Sequence, residues 1–257
     1  MKNILEIPSK IIIKVSTILT ITLALLLNRH RLLFLQYMIA FIHEIFHCIG
    51  AFYYKLNVNS ITFLPFGFYA DIDNLYNIKW YQELIVILLG PISFFVSYLI
   101  IKYLYLNNLI SLYLYNEINK TNLFILIFNL LPIYPLDGYR IIKIIFELFF
   151  VEKKVLKIVN TISVIFTFIF FFYAFNSNQI FILTFIIFNQ YILIKSFKKV
   201  YLNFLISKTS NTKNKKVKFH ILDDLYRPYD NLIYKNNHLY DDKYFSFYLL
   251  KRRKNNN

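Results

Sequence analysis

The chain is poor in charge, glycine and cysteine. Charged residues make up 17% of its 257 positions, there are 4 glycines, and Cys48 is the single cysteine. One cysteine excludes an intrachain disulfide. A soluble globular domain is usually about 25% charged and about 45–50% apolar. Here 58% of the residues are hydrophobic, with 28 Phe and 22 Tyr, so the composition favours an integral membrane protein.

Apolar runs long enough to cross a bilayer recur along most of the chain, since a helix needs about 20 residues to do so. The runs cover residues 11–28, 32–54, 80–106, 121–149, 156–175 and 180–201. They predict an all-α membrane protein with about six transmembrane helices. One stretch does not fit a helix: the β-branched residues from Val58 onward, followed by Pro65 and Gly67, predict a short re-entrant β segment near residues 58–70.

The positive charge of the chain is concentrated at its end. From Lys195 onward there are 15 Lys and Arg against 5 Asp, within a total net charge of +15. A basic excess beside apolar spans is typical of the cytosolic side and attracts anionic lipid. With six spans, these charges predict a multi-pass protein of the cell membrane with both termini in the cytosol. Arg29 and Arg31 fall on the outer side, which counts against this orientation.

The chain is thereby divided into two predicted regions. Residues 1–206 form a multi-pass transmembrane domain, and residues 207–257 form a short basic cytosolic tail. No nucleic-acid motif accompanies the basic charge, so no nucleic-acid partner is expected. Four aspartates of the tail are interpreted as solvated charges: Asp223, Asp224, Asp241 and Asp242.

The pattern His43-Glu44-x-x-His47 lies inside the second apolar run. On a helix, residues four apart share one face, so both imidazoles can bind one zinc ion, and Glu44 can act as general base on a water at that metal. The alternative is a hydrogen-bonded pair of core histidines. Ionisable groups within a membrane span are costly and usually functional, which favours the metal site.

Asp137 is the candidate for the third ligand that a catalytic zinc normally takes. Pro132 and Pro135 interrupt the helix before it, and Gly138 permits a turn. The alternative is a helix cap at a kink near the membrane edge. In the six-span arrangement the second and fourth spans run in the same direction, and the histidines and Asp137 lie at similar depths along them. The three residues are therefore expected to meet in the cytosolic half of the bilayer.

Together, His43-Glu44-x-x-His47 and Pro135-x-Asp137-Gly138 resemble the site-2 protease family of intramembrane zinc metalloproteases. The six-span layout is similar to the bacterial sporulation-type branch. That branch usually ends in a nucleotide-sensing CBS domain, for which the tail is too short. The resemblance implies that one Zn²⁺ is bound by His43, His47 and Asp137, and that Glu44 is the catalytic acid and base. It also implies that Asn129 and Pro135 help to position substrate.

Two of these assignments have alternatives. Asn129 can instead form a polar contact between helices. Gly90-Pro91 resembles a Gly-Pro element of the family, but a packing notch with a kink is the preferred interpretation.

The expected reaction is hydrolysis of a peptide bond in or beside the transmembrane segment of a membrane-tethered protein, such as a pro-sigma or anti-sigma factor. The expected partners are this substrate, the lipid bilayer and a membrane regulatory protein. The alternatives are a membrane metal transporter and a catalytically silent scaffold. A transporter needs polar residues along several spans, whereas the outer halves of these spans are almost uniformly apolar.

Overall fold

A computed structural model describes residues 10–13, 15–26, 30–64, 67–72, 78–176, 180–210, 217–221, 224–235 and 238–254. Its contacts divide the chain into two units, residues 1–75 with 81–131, and residues 76–80 with 132–257. The first unit contains β1 (Lys10–Ile13), α1 (Val15–Leu26), α2 (His30–Tyr53), β2 (Val58–Leu64), β3 (Gly67–Ile72), α3 (Trp80–Leu106) and α4 (Leu112–Asn129). The second contains α5 (Asp137–Glu147), α6 (Glu152–Asn176), α7 (Ile180–Ser210), β4 (Val217–His220), β5 (Asp230–Lys235), β6 (His238–Asp241) and α8 (Asp242–Lys254).

The first unit contains a three-stranded sheet in the order β1-β2-β3, with β1 parallel and β3 antiparallel to β2. The hydroxyl of Thr17 donates to the carbonyl of Phe63 at 2.8 Å, and that of Tyr37 donates to the carbonyl of Leu64 at 2.8 Å. Strands β2 and β3 lie where an extended segment was predicted, whereas its re-entrant position in a bilayer stays a prediction.

Among the described residues, three helices are long and apolar enough to span a membrane: Leu33–Tyr53, Trp80–Leu106 and Glu152–Tyr173. Their outward side chains are apolar, as Leu99 (64% exposed) and Phe168 (64% exposed) illustrate. Such surfaces are stable against lipid tails and costly against water. The mostly helical fold and its membrane-spanning helices agree with the prediction. The count of six spans remains a prediction.

Two details of the predicted helices were wrong. The run at 11–28 begins with strand β1, because the row Ile11-Ile12-Ile13 favours extended backbone and pairs with an otherwise open edge of β2. The run at 121–149 is two helices, since α4 ends at Asn129 and α5 begins at Asp137. Pro132 and Pro135 lie between them and cannot donate helical hydrogen bonds.

The fold is also not all-α, because the second unit has its own sheet, in the order β4-β5-β6. Strand β4 is parallel and β6 antiparallel to β5. A cluster of buried side chains joins this sheet to α6, α7 and α8. Its members are Leu156, Tyr201, Phe204, Leu205, Leu225, Ile233 and Phe245. The described residues of the segment predicted as a tail thus include three strands and a helix.

The interpretation of the tail aspartates as solvated charges is wrong for Asp224, which is buried. Its carboxylate accepts hydrogen bonds from the Tyr201 hydroxyl at 2.6 Å and from the backbone N–H groups of Leu225 at 2.8 Å and Lys153 at 2.9 Å. These three donors offset the cost of burying the carboxylate. Three residues used in the predictions, Arg29, Pro65 and Asp223, lie outside the described residues.

Candidate metal centre

His43 and His47 lie one turn apart on α2, and both side chains are buried, with 6% and 5% exposed. Their Nε2 atoms are 3.2 Å apart and the rings meet edge to face. The Nδ1 atom of His47 is 2.9 Å from the carbonyl oxygen of Val86. Because a carbonyl only accepts, Nδ1 carries the proton and the Nε2 lone pair of His47 faces His43. This tautomer is the one that binds a metal through Nε2.

Gly90 of α3 leaves the space that these rings need. A Cβ atom built at Gly90 would lie 2.8 Å from Nε2 of His43 and closer still to Nε2 and Cε1 of His47. Real Cβ atoms do not approach other atoms so closely, so a side chain at this position would displace the imidazoles. The notch predicted at Gly90-Pro91 thus faces the two histidines and is more than a point of helix packing.

Glu44 follows His43 and is half-buried. Its Oε1 atom accepts a hydrogen bond of 2.5 Å from the backbone N–H of Ala70. Ala70 lies on β3, the last strand of its sheet in the described part of the chain, so this N–H points outward from the sheet rather than toward β2. The carboxylate therefore lies beside the open edge of β3.

Asp137 is the first residue of α5 and is 8% exposed. A carboxylate in the first turn of a helix is favoured by the helix dipole. His43, His47 and Asp137 form one group of potential metal ligands, with ligand atoms within 4.8 Å of one another and all three residues buried. Two imidazole nitrogens and one carboxylate oxygen suit zinc and leave a fourth position open.

The segment before Asp137 is held by polar residues that the sequence analysis missed. The backbone N–H of Tyr134 donates to the hydroxyl of Ser163 at 2.9 Å. The side-chain amide of Gln190 donates to Ser163 at 2.8 Å and to the carbonyl of Tyr134 at 3.4 Å. The Tyr139 hydroxyl donates to Asn160 at 2.8 Å. Polar side chains inside the apolar runs at 156–175 and 180–201 were the available signal, because such groups need partners there.

Asn129 and Pro135 are the two residues predicted to position substrate. The side-chain amide of Asn129 donates to the carbonyl of Ile125 at 3.0 Å, one turn back on its own helix. The peptide bond between Tyr134 and Pro135 is cis. Their role toward a substrate stays a prediction.

The comparisons with known proteins agree with the motifs. The profile of peptidase family M50 matches residues 106–170, a range that includes Asp137. Stage IV sporulation protein FB of Bacillus subtilis (strain 168) is 28% identical over 129 residues, which are 49% of this chain and 43% of that protein. The site-2 protease from Methanocaldococcus jannaschii superposes with a TM-score of 0.57 at 25% identity, over 76% of this chain and 93% of that chain.

The predicted resemblance is thereby confirmed, and this chain is related to the site-2 proteases of peptidase family M50. The chain spans less than half the length of the curated Bacillus relative that it matches. The structural relative is a site-2 protease, and the described part of this chain has helices long and apolar enough to span a membrane.

Proposed function

We propose that the chain is an intramembrane zinc metalloendopeptidase that cleaves a membrane-tethered protein. The observation that carries this proposal is the convergence of His43 and His47, whose Nε2 atoms are 3.2 Å apart, with Asp137 in the same ligand group. The relationship to site-2 proteases supports the same reaction.

The residues fit a zinc ion. Nε2 of His47 is free of a proton, Gly90 keeps the space beside both rings open, and a carboxylate supplies negative charge. When bound, zinc supplies a Lewis acid that polarises a carbonyl group and makes water acidic. His43, His47 and Asp137 would hold it, with one position left for the reactants.

Glu44 is the proton carrier in this proposal. Its carboxylate takes a proton from the attacking water and returns it to the amine of the leaving peptide. The position next to His43 places this carboxylate beside the ligand group without making it a ligand. The hydrogen bond from Ala70 fixes its orientation.

The edge of β3 is proposed to hold the substrate extended. A protease cuts an unwound chain, and an exposed strand edge binds such a chain through backbone hydrogen bonds. Because the N–H of Ala70 already reaches Glu44, a substrate strand paired along β3 passes the catalytic carboxylate. Asn129 and Pro135 are proposed to help position that strand.

The orientation and the substrate are also proposed. We place six spans in the membrane, both termini in the cytosol, and the metal in the cytosolic half of the bilayer. The concentration of basic charge after Lys195 supports this orientation, since basic loops favour the cytosolic side. A pro-sigma or anti-sigma factor is the substrate class that the resemblance implies, and a membrane protein is the expected regulator.

Glu44→Gln tests the proposed role of the carboxylate. The variant should bind zinc normally, because the ligands are intact, and should cleave a membrane substrate roughly 10²–10⁴-fold more slowly. The matched control is Glu117→Gln, the same change at a residue paired with Lys120 on α4, which should cleave normally. Full activity of the Glu44→Gln variant would refute the mechanism.

Asp137→Asn tests the third ligand. The purified variant should hold zinc roughly 10–100-fold more weakly in a chelator competition, because a neutral amide is a poorer ligand than a carboxylate. Asp241→Asn removes the same charge from an exposed position and serves as the control. Unchanged zinc affinity in the Asp137→Asn variant would remove this residue from the ligand set.

A further inference from the structure

A cavity of about 700 Å³ lies in the first unit, between the end of α1 and the starts of α2 and α4. Such a volume is within the range of about 300–1,000 Å³ that is usual for small-molecule sites. The proposed protease reaction does not use the side chains that line the cavity. Six of them are Ile21, Leu25, Arg31, Phe34, Tyr37 and Leu114.

The lining is charged at one end and apolar below it. Arg31, the second residue of α2, is the one charged side chain among the described residues that line the cavity. The part of α2 that is long and apolar enough to span a membrane begins at Leu33. Arg31 therefore lies just before the candidate span, whereas Phe34 and Tyr37 lie within it. At about 1.5 Å per residue, Tyr37 is roughly 9 Å farther along the helix than Arg31.

The cavity is open on one side and held in shape on another. Phe34 and Leu25 are 64% and 59% exposed, so the cavity opens to the surroundings of the helices. Around a membrane span these surroundings are lipid. On the other side, the Tyr37 hydroxyl donates to the carbonyl of Leu64 at 2.8 Å, and its ring meets that of Phe68 edge to face at 5.7 Å. This wall is thus fixed to the first sheet.

A phospholipid matches the order of these features. Its phosphate belongs at the membrane edge, where the guanidinium of Arg31 can offer two parallel N–H donors to phosphate oxygens. Its acyl chain belongs deeper, where the lining is apolar. An apolar transmembrane helix would fit the same opening, but it brings no anion to Arg31. In the six-span arrangement Arg31 falls on the outer side, where the preference for cytosolic basic loops does not account for it.

We propose that this cavity is a specific site for one phospholipid of the bilayer. The phosphate binds Arg31, and an acyl chain lies among Leu25, Phe34 and Leu114. The bound lipid joins α1, α2 and α4 and packs against Tyr37, whose hydroxyl holds the end of β2. The proposal depends on the position of α2 in a membrane and does not depend on the protease reaction.

Native mass spectrometry of the full-length protein in detergent tests the site. Two ligands are titrated: dioleoyl phosphatidylglycerol, and dioleoylglycerol, which has the same acyl chains and no phosphate. The parent protein should bind one molecule of either ligand in a saturable way. The affinity for phosphatidylglycerol should be roughly fivefold higher, as expected for one basic side chain beside an anionic headgroup.

Arg31→Gln separates the headgroup contact from the acyl contact. This variant should bind phosphatidylglycerol roughly fivefold more weakly than the parent does, and should bind dioleoylglycerol equally well. Lys102→Gln is the control, because it removes one positive charge from an exposed position near the end of α3, outside the cavity lining. Its affinities for both ligands should equal those of the parent.

Leu114→Trp fills the apolar part of the cavity and should weaken both ligands roughly tenfold or more, because the acyl chain loses its buried position. Leu123→Trp places the same ring on the same helix at a residue that is 47% exposed and outside the lining, so it should change neither affinity. Thermal unfolding in detergent checks that each variant folds. Phe34→Ala, which removes a largely exposed wall of the cavity, should also weaken both ligands and replaces Leu114→Trp if that variant does not fold.

Three results would overturn the proposal. Binding that does not saturate, or that is equal in the parent and all variants, would mean that only bulk lipid surrounds these helices. Equal affinities of the parent for the two ligands would remove the contact between Arg31 and phosphate. A dimer or a co-purified peptide that is lost in the Leu114→Trp variant, with lipid binding unchanged, would assign the cavity to a second copy of the chain or to another protein.

Discussion

Two regions of the molecule bury ionisable side chains, and they do so in different ways. On α2, His43 and His47 direct their Nε2 atoms to a common point that the backbone of Gly90 leaves open. The second unit instead buries a network of four opposite charges. Lys143 is 2.9 Å from Glu147 and 3.2 Å from Glu152, and Arg227 is 2.8 Å from Glu147.

The difference distinguishes a candidate metal-binding site from a charge network that holds parts of the fold together. In the four-membered network, two acids meet two bases, so charges on the successive helices α5 and α6 are balanced in part by Arg227, which lies 80 residues from Glu147 in the chain. The imidazoles can be neutral and need no opposite charge, yet their geometry converges on one point. Burial alone therefore does not identify a functional group. The metal site is identified by imidazole nitrogens that converge on one point and by the open space beside them.

The largest expected effect tests whether the buried charge network stabilises the fold. Arg227→Met removes one of the two cations and leaves Glu147 with less compensation, which for a buried pair costs about 3–5 kcal/mol. The free energy of unfolding in detergent should fall by about that amount. The double variant Arg227→Met/Glu147→Met leaves the Lys143–Glu152 pair balanced and should regain most of the loss. If the Arg227→Met variant is as stable as the parent, the charge network does not stabilise the fold.

Gly90→Ala tests the open space beside the histidines. A methyl group there meets the Nε2 atoms of both rings, so we expect zinc affinity to fall roughly 10–100-fold, as for other changes that displace metal ligands. Chelator competition compares the variant with the parent. A zinc affinity equal to that of the parent would contradict the assignment of Gly90.

Part of this architecture could be predicted from local sequence. The spacing of His43 and His47 puts them on one helical face, Pro132 and Pro135 break the chain before Asp137, and the β-branched run after Val58 forms a strand. Each of these features depends on neighbours within a few residues. Such features can be predicted from local sequence because they follow from the geometry of the helix and strand backbone and from the missing N–H of proline.

The folded C-terminal segment could not be predicted in the same way. Its polarity indicates a solvated tail, yet Asp224 is bound by Tyr201 and Arg227 by Glu147, which is 80 residues away in the chain. Such partners decide whether a charge is buried, and no local pattern reveals them. The polar support of Tyr134 by Ser163 is a second example, since the acceptor lies 29 residues from the donor.

Ser163→Ala sharpens the distinction between a ligand and its support. The change leaves the N–H of Tyr134 without its acceptor, and an unsatisfied buried donor costs about 1–3 kcal/mol. The free energy of unfolding should fall by about 1–2 kcal/mol. Ser196→Ala is the control, because that hydroxyl bonds to the carbonyl of Leu193 on its own helix, and its effect should stay within about 0.5 kcal/mol. Equal losses in both variants would contradict the supporting role of Ser163.

The smallest expected effect concerns the pH dependence of the C-terminal segment. Burial raises the pKa of Asp224, although hydrogen bonds from Tyr201, Leu225 and Lys153 oppose the rise. The folded chain therefore holds this proton more tightly than the unfolded chain does. The contribution of the group to stability is fully present below the unfolded pKa of about 3.9 and is lost as the pH rises through the folded pKa.

Asp224→Asn removes this titration and so isolates its contribution. As the pH rises from about 4 to about 7, the stability of the variant relative to the parent should increase, because only the parent must bury a charge. Parallel denaturation series of the two proteins in detergent measure the difference at each pH. Asp241→Asn, which removes one charge from an exposed position, controls for net charge. A difference that is constant with pH would mean that the three donors to Asp224 compensate its burial fully.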